Sequence, residues 1–191
     1  MTEFMSLDGV VQAPGGPDED TSGGFAHGGW SMPYFDADVM GGAYFESIQR
    51  SEALLFGRHT WEVSAAAWPA RGGDPFADLM NEIPKYVVSS TLAADEMRWN
   101  TTLIPGGDAL EEIGRLRARD GGDLHCYGSA QLVQALLRES LVDELNVMVE
   151  PILLGGGKAV FPDDGVARPL ALVGVATAST GVLLCTYRPA T

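Results

Sequence analysis

The chain has 191 residues, 46% of them hydrophobic and 20% charged, and such a composition is typical of a folded globular domain rather than a disordered chain. Its 12 basic and 26 acidic residues give a formal net charge of −14, which repels phosphate backbones and argues against a nucleic-acid partner. The sequence contains neither an apolar run long enough to span a membrane nor a basic, apolar leader at its start. We therefore predict a cytoplasmic protein without membrane contact.

The two cysteines predict buried thiols rather than a disulfide or a metal site. Cys126 and Cys185 each lie inside an apolar run, where a small thiol packs like other hydrophobic side chains. No second cysteine or histidine stands at ligand spacing from either one, so we predict no metal.

The N-terminal part predicts a strand followed by a long loop. Residues 2–11 are mostly apolar and form a first strand that ends near Asp8. Residues 12–33 then hold three Gly-Gly pairs and three prolines, and loops of this length are usually lids, binding loops or disordered segments. Trp30, within this loop, either anchors its packing or stacks on a flat substrate.

From residue 36 onward, helical and strand patterns alternate. We predict a helix at 36–51, a strand at 53–57 and a helix at 59–68, and then a loop that leads to a strand at 85–91. A short strand at 101–106, a helix at 107–120 and a strand-to-helix unit at 123–139 follow. The chain ends with a strand at 145–150 and a hairpin whose turn is "STG".

This order predicts a single α/β domain over residues 1–191. Its central sheet is mainly parallel, with helices on both faces in three layers and an antiparallel C-terminal hairpin. Pro151 predicts a bulge or an edge position at the end of the strand 145–150. Ligands of such sheets bind beyond the carboxyl ends of the strands.

Three predicted strand exits share one chemical character. They are Gly57-Arg58-His59-Thr60, Ser89-Ser90-Thr91 and Gly128-Ser129-Ala130. Small and hydroxyl residues let backbone N–H groups approach an anion, and two of these exits open into helices whose N-termini favour phosphate. Taken one at a time, such a glycine is a turn and such an arginine a solvated side chain. Together they indicate a dinucleotide site, in which Arg58 supplies a fork of donors for a terminal phosphate.

The segment "LLFGRHTWE" (54–62) resembles the strand-to-helix segment of dihydrofolate reductases. "SLDG" and "VDELNVMVEPILLGGGKAVF" resemble relatives of the reductase domain of riboflavin biosynthesis, and the likeness follows nearly the whole chain in order. The resemblance implies NADPH, with the adenosine phosphate on Gly57, Arg58, Thr60, Ser89 and Ser90 and the pyrophosphate on Gly128, Ser129 and Ala130. The glycine run of the family is reduced here to Gly-Ser-Ala, and Ser129 either donates its hydroxyl or caps the following helix.

The proton donor is harder to place. Dihydrofolate reductases carry an acid on the helix before the Gly-Arg strand, and the corresponding position here is Gly41, with Asp38 one turn earlier. Asp38, Asp8 and Glu150 are the candidate catalytic carboxylates. Each also has a structural interpretation: Asp38 as a surface charge, Asp8 as the acceptor of a local turn, and Glu150 as an edge residue.

We therefore expect a reductase that transfers a hydride from NADPH to a small planar heterocycle, pterin-like or pyrimidine-like, or to a related carbonyl compound. The loop 12–33 would close over this substrate. The missing acid at Gly41 favours a different class, a binding module that holds a nucleotide or pterin without turnover. A third hypothesis is a structural homodimer that associates through the C-terminal hairpin.

Overall fold

The computed structural model describes residues 1–190, which form two compact units. One unit combines Met1–Ala43 with the chain from Val142 onward, and the other is Tyr44–Leu141. In the described residues no helix combines the length and apolarity needed to cross a membrane. The single domain over 1–191 stays a prediction.

The elements follow one another in chain order. The strands are β1 (Thr2–Ser6), β2 (Ser51–Gly57), β3 (Lys85–Ser89), β4 (Thr101–Pro105), β5 (Asp123–Cys126), β6 (Leu145–Glu150), β7 (Leu170–Thr177) and β8 (Leu183–Pro189). The α-helices are α1 (Gly42–Gln49), α2 (Arg58–Ala67), α3 (Pro75–Glu82), α4 (Ala109–Arg117) and α5 (Ala130–Arg138). A π-helical turn, Ala37–Gly41, leads into α1, and short 3₁₀ turns occur at Ser22–Gly24, Met32–Tyr34 and Ala94–Glu96.

The unit 44–141 contains a four-stranded, fully parallel sheet in the order β4-β3-β2-β5. Its core is formed by large apolar side chains, since Leu54, Phe56, Trp61, Met80 and Val87 are all essentially inaccessible to solvent. Because all four strands run in one direction, their carboxyl ends lie at the same edge of the sheet.

The helix α3 corrects the sequence interpretation, which assigned a loop to the region before β3. Asp74 accepts hydrogen bonds from the backbone N–H groups of Phe76 and Ala77 at 3.0 and 2.9 Å, and Pro75 occupies the first helical position. This N-cap and first-turn proline are a standard helix start. The buried side chains of Ala77 and Met80 then attach the helix to the core.

The other unit contains a mixed sheet in the order β1-β6-β8-β7. β1 pairs with β6 in parallel, whereas β6 with β8 and β8 with β7 are antiparallel, so the predicted C-terminal hairpin is confirmed. The bulge or edge position predicted at Pro151 is wrong. β6 lies inside the sheet with a continuous register, and Pro151 stands just beyond its last residue, Glu150.

The loop 12–33 is held by its own polar contacts. The indole Nε1 of Trp30 donates to the carbonyl of Gln12 at 2.7 Å, and the amide of Gln12 donates to the carbonyls of Asp20 and Ser22, both at 3.0 Å. These contacts connect the two ends of the loop and its middle. The disorder considered for this segment is therefore not observed. Both cysteines are buried thiols, as predicted.

Candidate functional site

The exits of β2 and β5 meet at the carboxyl edge of the parallel sheet. The N–H of Gly57 donates to the carbonyl of Gly128 at 2.9 Å, and Ser129 packs directly against Gly57. A Cβ on Gly57 would stand 2.3 Å from Ser129 Oγ and 3.0 Å from its backbone N. A side chain at residue 57 would therefore force Ser129 of the neighbouring exit to move.

The exits of β3 and β4 meet in the same way. The N–H of Gly106 donates to the carbonyl of Ser89 at 3.0 Å, and a Cβ on Gly106 would stand 2.0 Å from Ser90 Oγ. The hydroxyl of Ser89 is buried and accepts from the backbone N–H groups of Thr91 and Leu92. Ser89 thus shapes the turn, whereas the hydroxyl residues Ser90 and Thr91 are exposed.

The helices that begin at these exits have no side-chain caps. Gly57 is the N-cap residue of α2 and has no capping side chain, and Ser129, the N-cap residue of α5, makes no capping hydrogen bond. Of the two roles predicted for Ser129, the helix cap is not formed, because its Oγ lies against Gly57, while donation of the hydroxyl to a cofactor stays a prediction. The N–H groups in the first turn of a helix have no acceptor within the helix itself, and the positive end of each helix dipole favours an anion.

The remaining cofactor candidates lie in the first turns of these helices. Arg58 is the first residue of α2, with a side chain about half exposed, and its Nη1 is 3.3 Å from Oε1 of Glu62. Because the guanidinium has five N–H donors, this contact leaves most of them for another anion. Thr60 is half-buried in the same turn, and Ala130 is buried at the start of α5.

Glu150 is the most unusual of the three candidate carboxylates. It is 0% exposed at the carboxyl end of β6, and the hydroxyl of Ser31 donates to its Oε1 at 2.6 Å. Within the described residues, Oε2 is buried without a hydrogen-bond partner. Burial raises the pKa of Glu150 to about 7, against the opposing effect of the Ser31 hydrogen bond. This carboxyl group can hold or release a proton near neutral pH.

Asp8 is an exposed acceptor that ties two turns together. It accepts from the hydroxyl of Ser6 at 2.6 Å and from the backbone N–H groups of Leu154 and Gly155. The sequence predicted that Asp8 accepts a hydrogen bond within its own turn. In the structure its carboxylate also contacts the start of the glycine-rich segment 155–157. The hydrogen bond from Ser6, together with those from Gly155 and Leu154, lowers the pKa of Asp8 to about 2. Asp8 is therefore ionised at neutral pH, which suits an acceptor rather than a proton donor.

Asp38 is exposed within the π-helical turn, and its neighbour Asp36 has the structural role there. Asp36 Oδ1 accepts from the N–H groups of Asp38 and Val39, and Oδ2 accepts from the backbone and the hydroxyl of Ser179 in the β7–β8 turn. These bonds, led by the Ser179 hydroxyl, lower the pKa of Asp36 to about 2. The helix start is thereby fastened to the hairpin.

Trp30 is 6% exposed, and its Nε1 is bonded to the carbonyl of Gln12. This is the packing role that the sequence left open, while stacking of the ring on a substrate stays a prediction. In residues 1–190 no group of histidine, cysteine, aspartate and glutamate side chains is placed to hold a metal ion.

Sequence reasoning missed Ser31 and Gly106. Nothing in the sequence around Ser31 signals a contact with a residue more than a hundred positions later. Gly106 could have been recognised, since it follows the strand 101–105 in the same way that Gly57 ends β2.

The close approach of Gly57 and Ser129 predicts the effect of a single methyl group. Gly57 has φ −75° and ψ 158°, which alanine adopts without strain, so any effect of Gly57→Ala is steric. We expect this variant to lose about 1–3 kcal/mol of unfolding free energy in urea titrations, the usual cost of overpacking. Gly72→Ala is the matched control, because nothing lies within 4 Å of the added Cβ. Equal midpoints for the two variants would contradict the contact.

Comparison with known proteins gives one family. The family model described as "RibD C-terminal domain" matches residues 1–184. The uncharacterised protein YyaP of Bacillus subtilis (strain 168) is 28% identical over 188 residues, which are 96% of this chain and 90% of that protein.

Two solved structures extend the likeness. One is a Thermotoga maritima diaminohydroxyphosphoribosylaminopyrimidine deaminase/5-amino-6-(5-phosphoribosylamino)uracil reductase, 16% identical with a TM-score of 0.66, which covers 99% of this chain and 55% of that one. The other is an Enterococcus faecalis dihydrofolate reductase complexed with NADP(H), 15% identical with a TM-score of 0.62, which covers 100% of this chain and 95% of that one. These likenesses confirm the predicted α/β fold of the dihydrofolate reductase type. The match over residues 1–184 shows that the chain belongs to the RibD C-terminal domain family.

Proposed function

We propose that the chain is a cytoplasmic, NADPH-dependent reductase that transfers a hydride to a small planar heterocycle, pterin-like or pyrimidine-like, or to a related carbonyl compound. The observation that carries this proposal is the contact of Gly57 with Gly128 and Ser129 between two helix N-termini that lack side-chain caps. Backbone N–H groups in the first turn of a helix have no acceptor within the helix, and at such a junction they suit the phosphates of a dinucleotide.

The residues present fit the phosphate groups of NADPH. The glycine at 57 lets the two chain segments approach each other closely. Arg58 would contact the phosphate on the adenosine ribose, with Thr60, Ser89 and Ser90 nearby. Gly128, Ser129 and Ala130 would hold the pyrophosphate. Support comes from the family and from the Enterococcus dihydrofolate reductase, whose structure contains NADP(H).

The reduction also needs a proton, and Glu150 is the candidate best suited to supply it. When bound, the nicotinamide would supply the hydride to the carbon of a C=N or C=O bond, and an acid or an ordered water would protonate the nitrogen or oxygen. Glu150 has a pKa raised by burial to about 7, whereas Asp8 is held ionised by its hydrogen bonds. Two carboxyl groups whose environments move their pKa values apart commonly divide the acid and acceptor roles.

Substitution of Arg58 tests the cofactor. Arg58→Ala should weaken NADPH by about 1.5–3 kcal/mol, roughly 10- to 150-fold in Kd, and leave NADH nearly unchanged, because only NADPH carries the extra phosphate. Fluorescence or calorimetric titration with both nucleotides gives the ratio. The control is Arg115→Ala, which removes one exposed positive charge from the last turn of α4, where Arg115 pairs with Glu112.

Equal losses for NADPH and NADH would show that Arg58 does not contact the additional phosphate. If neither nucleotide binds at sub-millimolar concentration, the reductase function itself is excluded.

Substitution of Glu150 tests the proton donor. Glu150→Gln keeps the shape and the acceptor for Ser31 but carries no acidic proton, so we expect kcat to fall about 10²-fold or more with unchanged NADPH affinity. In the wild type, activity should decline as pH rises through about 7, since only the neutral acid donates. The assay is single-turnover oxidation of NADPH with each candidate heterocycle.

The stability of the Glu150→Gln protein shows whether this variant is folded, and so serves as the control for its activity. The folded pKa of Glu150 lies above the ordinary value of 4.5, so the stability contributed by the neutral form is complete below pH 4.5 and is lost as pH rises through about 7. The glutamine variant should therefore be more stable than the wild type above pH 7. Full activity of a folded Glu150→Gln protein would remove Glu150 from the reaction.

The binding module without turnover remains the alternative. The absence of an acid at Gly41 favours it, and NADPH binding without oxidation by any tested heterocycle would support it.

We also propose that the protein forms a homodimer through the outer face of the hairpin. Leu170, Leu172, Val175 and Leu183 lie on one face of β7 and β8 by register, and they are 40%, 54%, 62% and 42% exposed. Their neighbours on this face, Thr177, Cys185 and Tyr187, are also uncharged. In a chain of net charge −14, an uncharged apolar face is where a second copy can associate without opposing its own charge.

Val175→Glu should convert this dimer to a monomer in light scattering after size-exclusion chromatography, because it places two like charges in the interface. Val166→Glu is the matched control, since Val166 is also 60% exposed but lies in a loop. A wild-type monomer at high micromolar concentration would contradict the interface.

A further inference from the structure

Ser31 occupies a constrained position at the end of the loop 12–33. It is 4% exposed, its backbone N–H donates to the carbonyl of Pro14 at 3.2 Å, and its carbonyl accepts from Tyr34 at 2.9 Å. The preceding residue, Trp30, is bonded to Gln12. The side chain of Ser31 is therefore placed by contacts with both the start of the loop and the turn that follows it.

The two oxygens of Glu150 differ in their surroundings. Oε1 accepts the hydroxyl proton of Ser31 at 2.6 Å, whereas Oε2 is buried without a hydrogen-bond partner in the described part of the chain. A buried polar atom without a partner is costly, and such atoms in folded proteins commonly meet a water or a ligand. The unpaired atom of this carboxyl group is thus Oε2.

We propose that Ser31 is a positioning residue that directs the proton of Glu150 to Oε2. Because the hydroxyl of Ser31 donates to Oε1, the neutral carboxyl group carries its own proton on the other oxygen. Oε2 is then the atom from which the proton leaves, to the substrate or to one ordered water, and the negative charge that remains is stabilised through Oε1 by Ser31. The inference rests on the proposed function, in which Glu150 is the acid.

This arrangement gives the loop 12–33 a chemical task besides covering a ligand. The position of the hydroxyl depends on the contacts of Trp30 and Ser31 with residues 12–14, at the other end of the loop. A change that opens those contacts would move Ser31 away from Glu150. Proton transfer and loop conformation are therefore linked through one hydrogen bond.

Few other titratable groups share the face of the sheet that carries Glu150. Ser6 of β1 is its register partner and is bonded to Asp8, the nearest acid along that strand's end. Arg188 of β8 also lies on this face. It is paired with Glu144, which directly precedes the first residue of β6. Titratable groups on the opposite face, by register, are Glu3 of β1 and Cys185 and Tyr187 of β8. Lys158, which follows β6, is paired with Asp20 of the loop 12–33.

The test is the protonation midpoint of Glu150 measured in two ways. Removing the donor destabilises the carboxylate, so Ser31→Ala should move the alkaline limb of the pH profile of kcat/KM to higher pH by about one unit. The same shift should occur in the free protein, in a carbon-13 titration of the glutamate carboxyl groups, with Glu150→Gln identifying the resonance. Ser31→Cys keeps a weaker donor of similar size, so its midpoint should lie between those of serine and alanine.

Ser22→Ala is the matched control, because Ser22 is a hydroxyl of the same loop that bonds to Asp20 and is exposed. The inference is overturned if the three side chains at position 31 give the same midpoint while Glu150→Gln is inactive, and in that case the proposed function stands. If Glu150→Gln is fully active, the proton-donor assignment fails whatever the midpoints. Should Ser31→Ala not fold, the cysteine variant decides.

Discussion

The parallel pairing of β2 with both β3 and β5 is the constraint on which the proposed cofactor site depends. Register places Gly57 beside Val88 and Leu55 beside Cys126, so the three strands end at nearly the same level. Their exits must then share a small volume, and only residues with little or no side chain fit there. The glycine at 57 is thus a consequence of strand alignment, and so is the glycine at 106 beyond β4, where a Cβ would likewise meet a serine of the neighbouring exit.

The acidic character of the chain makes this local arrangement more important. With 26 acidic and 12 basic residues, the surface repels phosphates at long range, so a phosphate must be held by short-range backbone donors and by a few fixed cations. The excess of acidic residues extends to the unit that combines residues 1–43 with the chain from 142 onward. There Glu3 and Glu150 are buried carboxyl groups with raised pKa values. Each of them is stable in the folded state as the neutral form, which opposes the usual gain of stability with rising pH.

How far the sequence predicted the structure depended on whether the signal was local. The strand exits at Gly57, Ser89 and Gly128 were predicted because a run of apolar residues that ends in glycine or serine is a pattern within ten residues. The helix α3 was missed although Asp74 and Pro75 form a local start signal, because Gly72 and Gly73 before it suggested a continuous loop. The contact of Ser31 with Glu150 spans more than a hundred residues, and no local pattern contains it. The burial of Glu150 depends likewise on β6 being an interior strand, which Pro151 appeared to argue against in sequence.

The choice among the carboxylates finally follows from what each already binds. Asp36 is occupied by a helix start and the hairpin turn, and Asp8 by the segment at Gly155, so both are acceptors with lowered pKa values. Glu3 shares a raised pKa with Glu150, yet its register partner is Val147 in the middle of β6. Glu150 ends its strand, and ligands of parallel strands bind beyond that end. The proposed reductase can therefore draw its proton from Glu150 at the end of β6, although position 41 of the helix carries no acid.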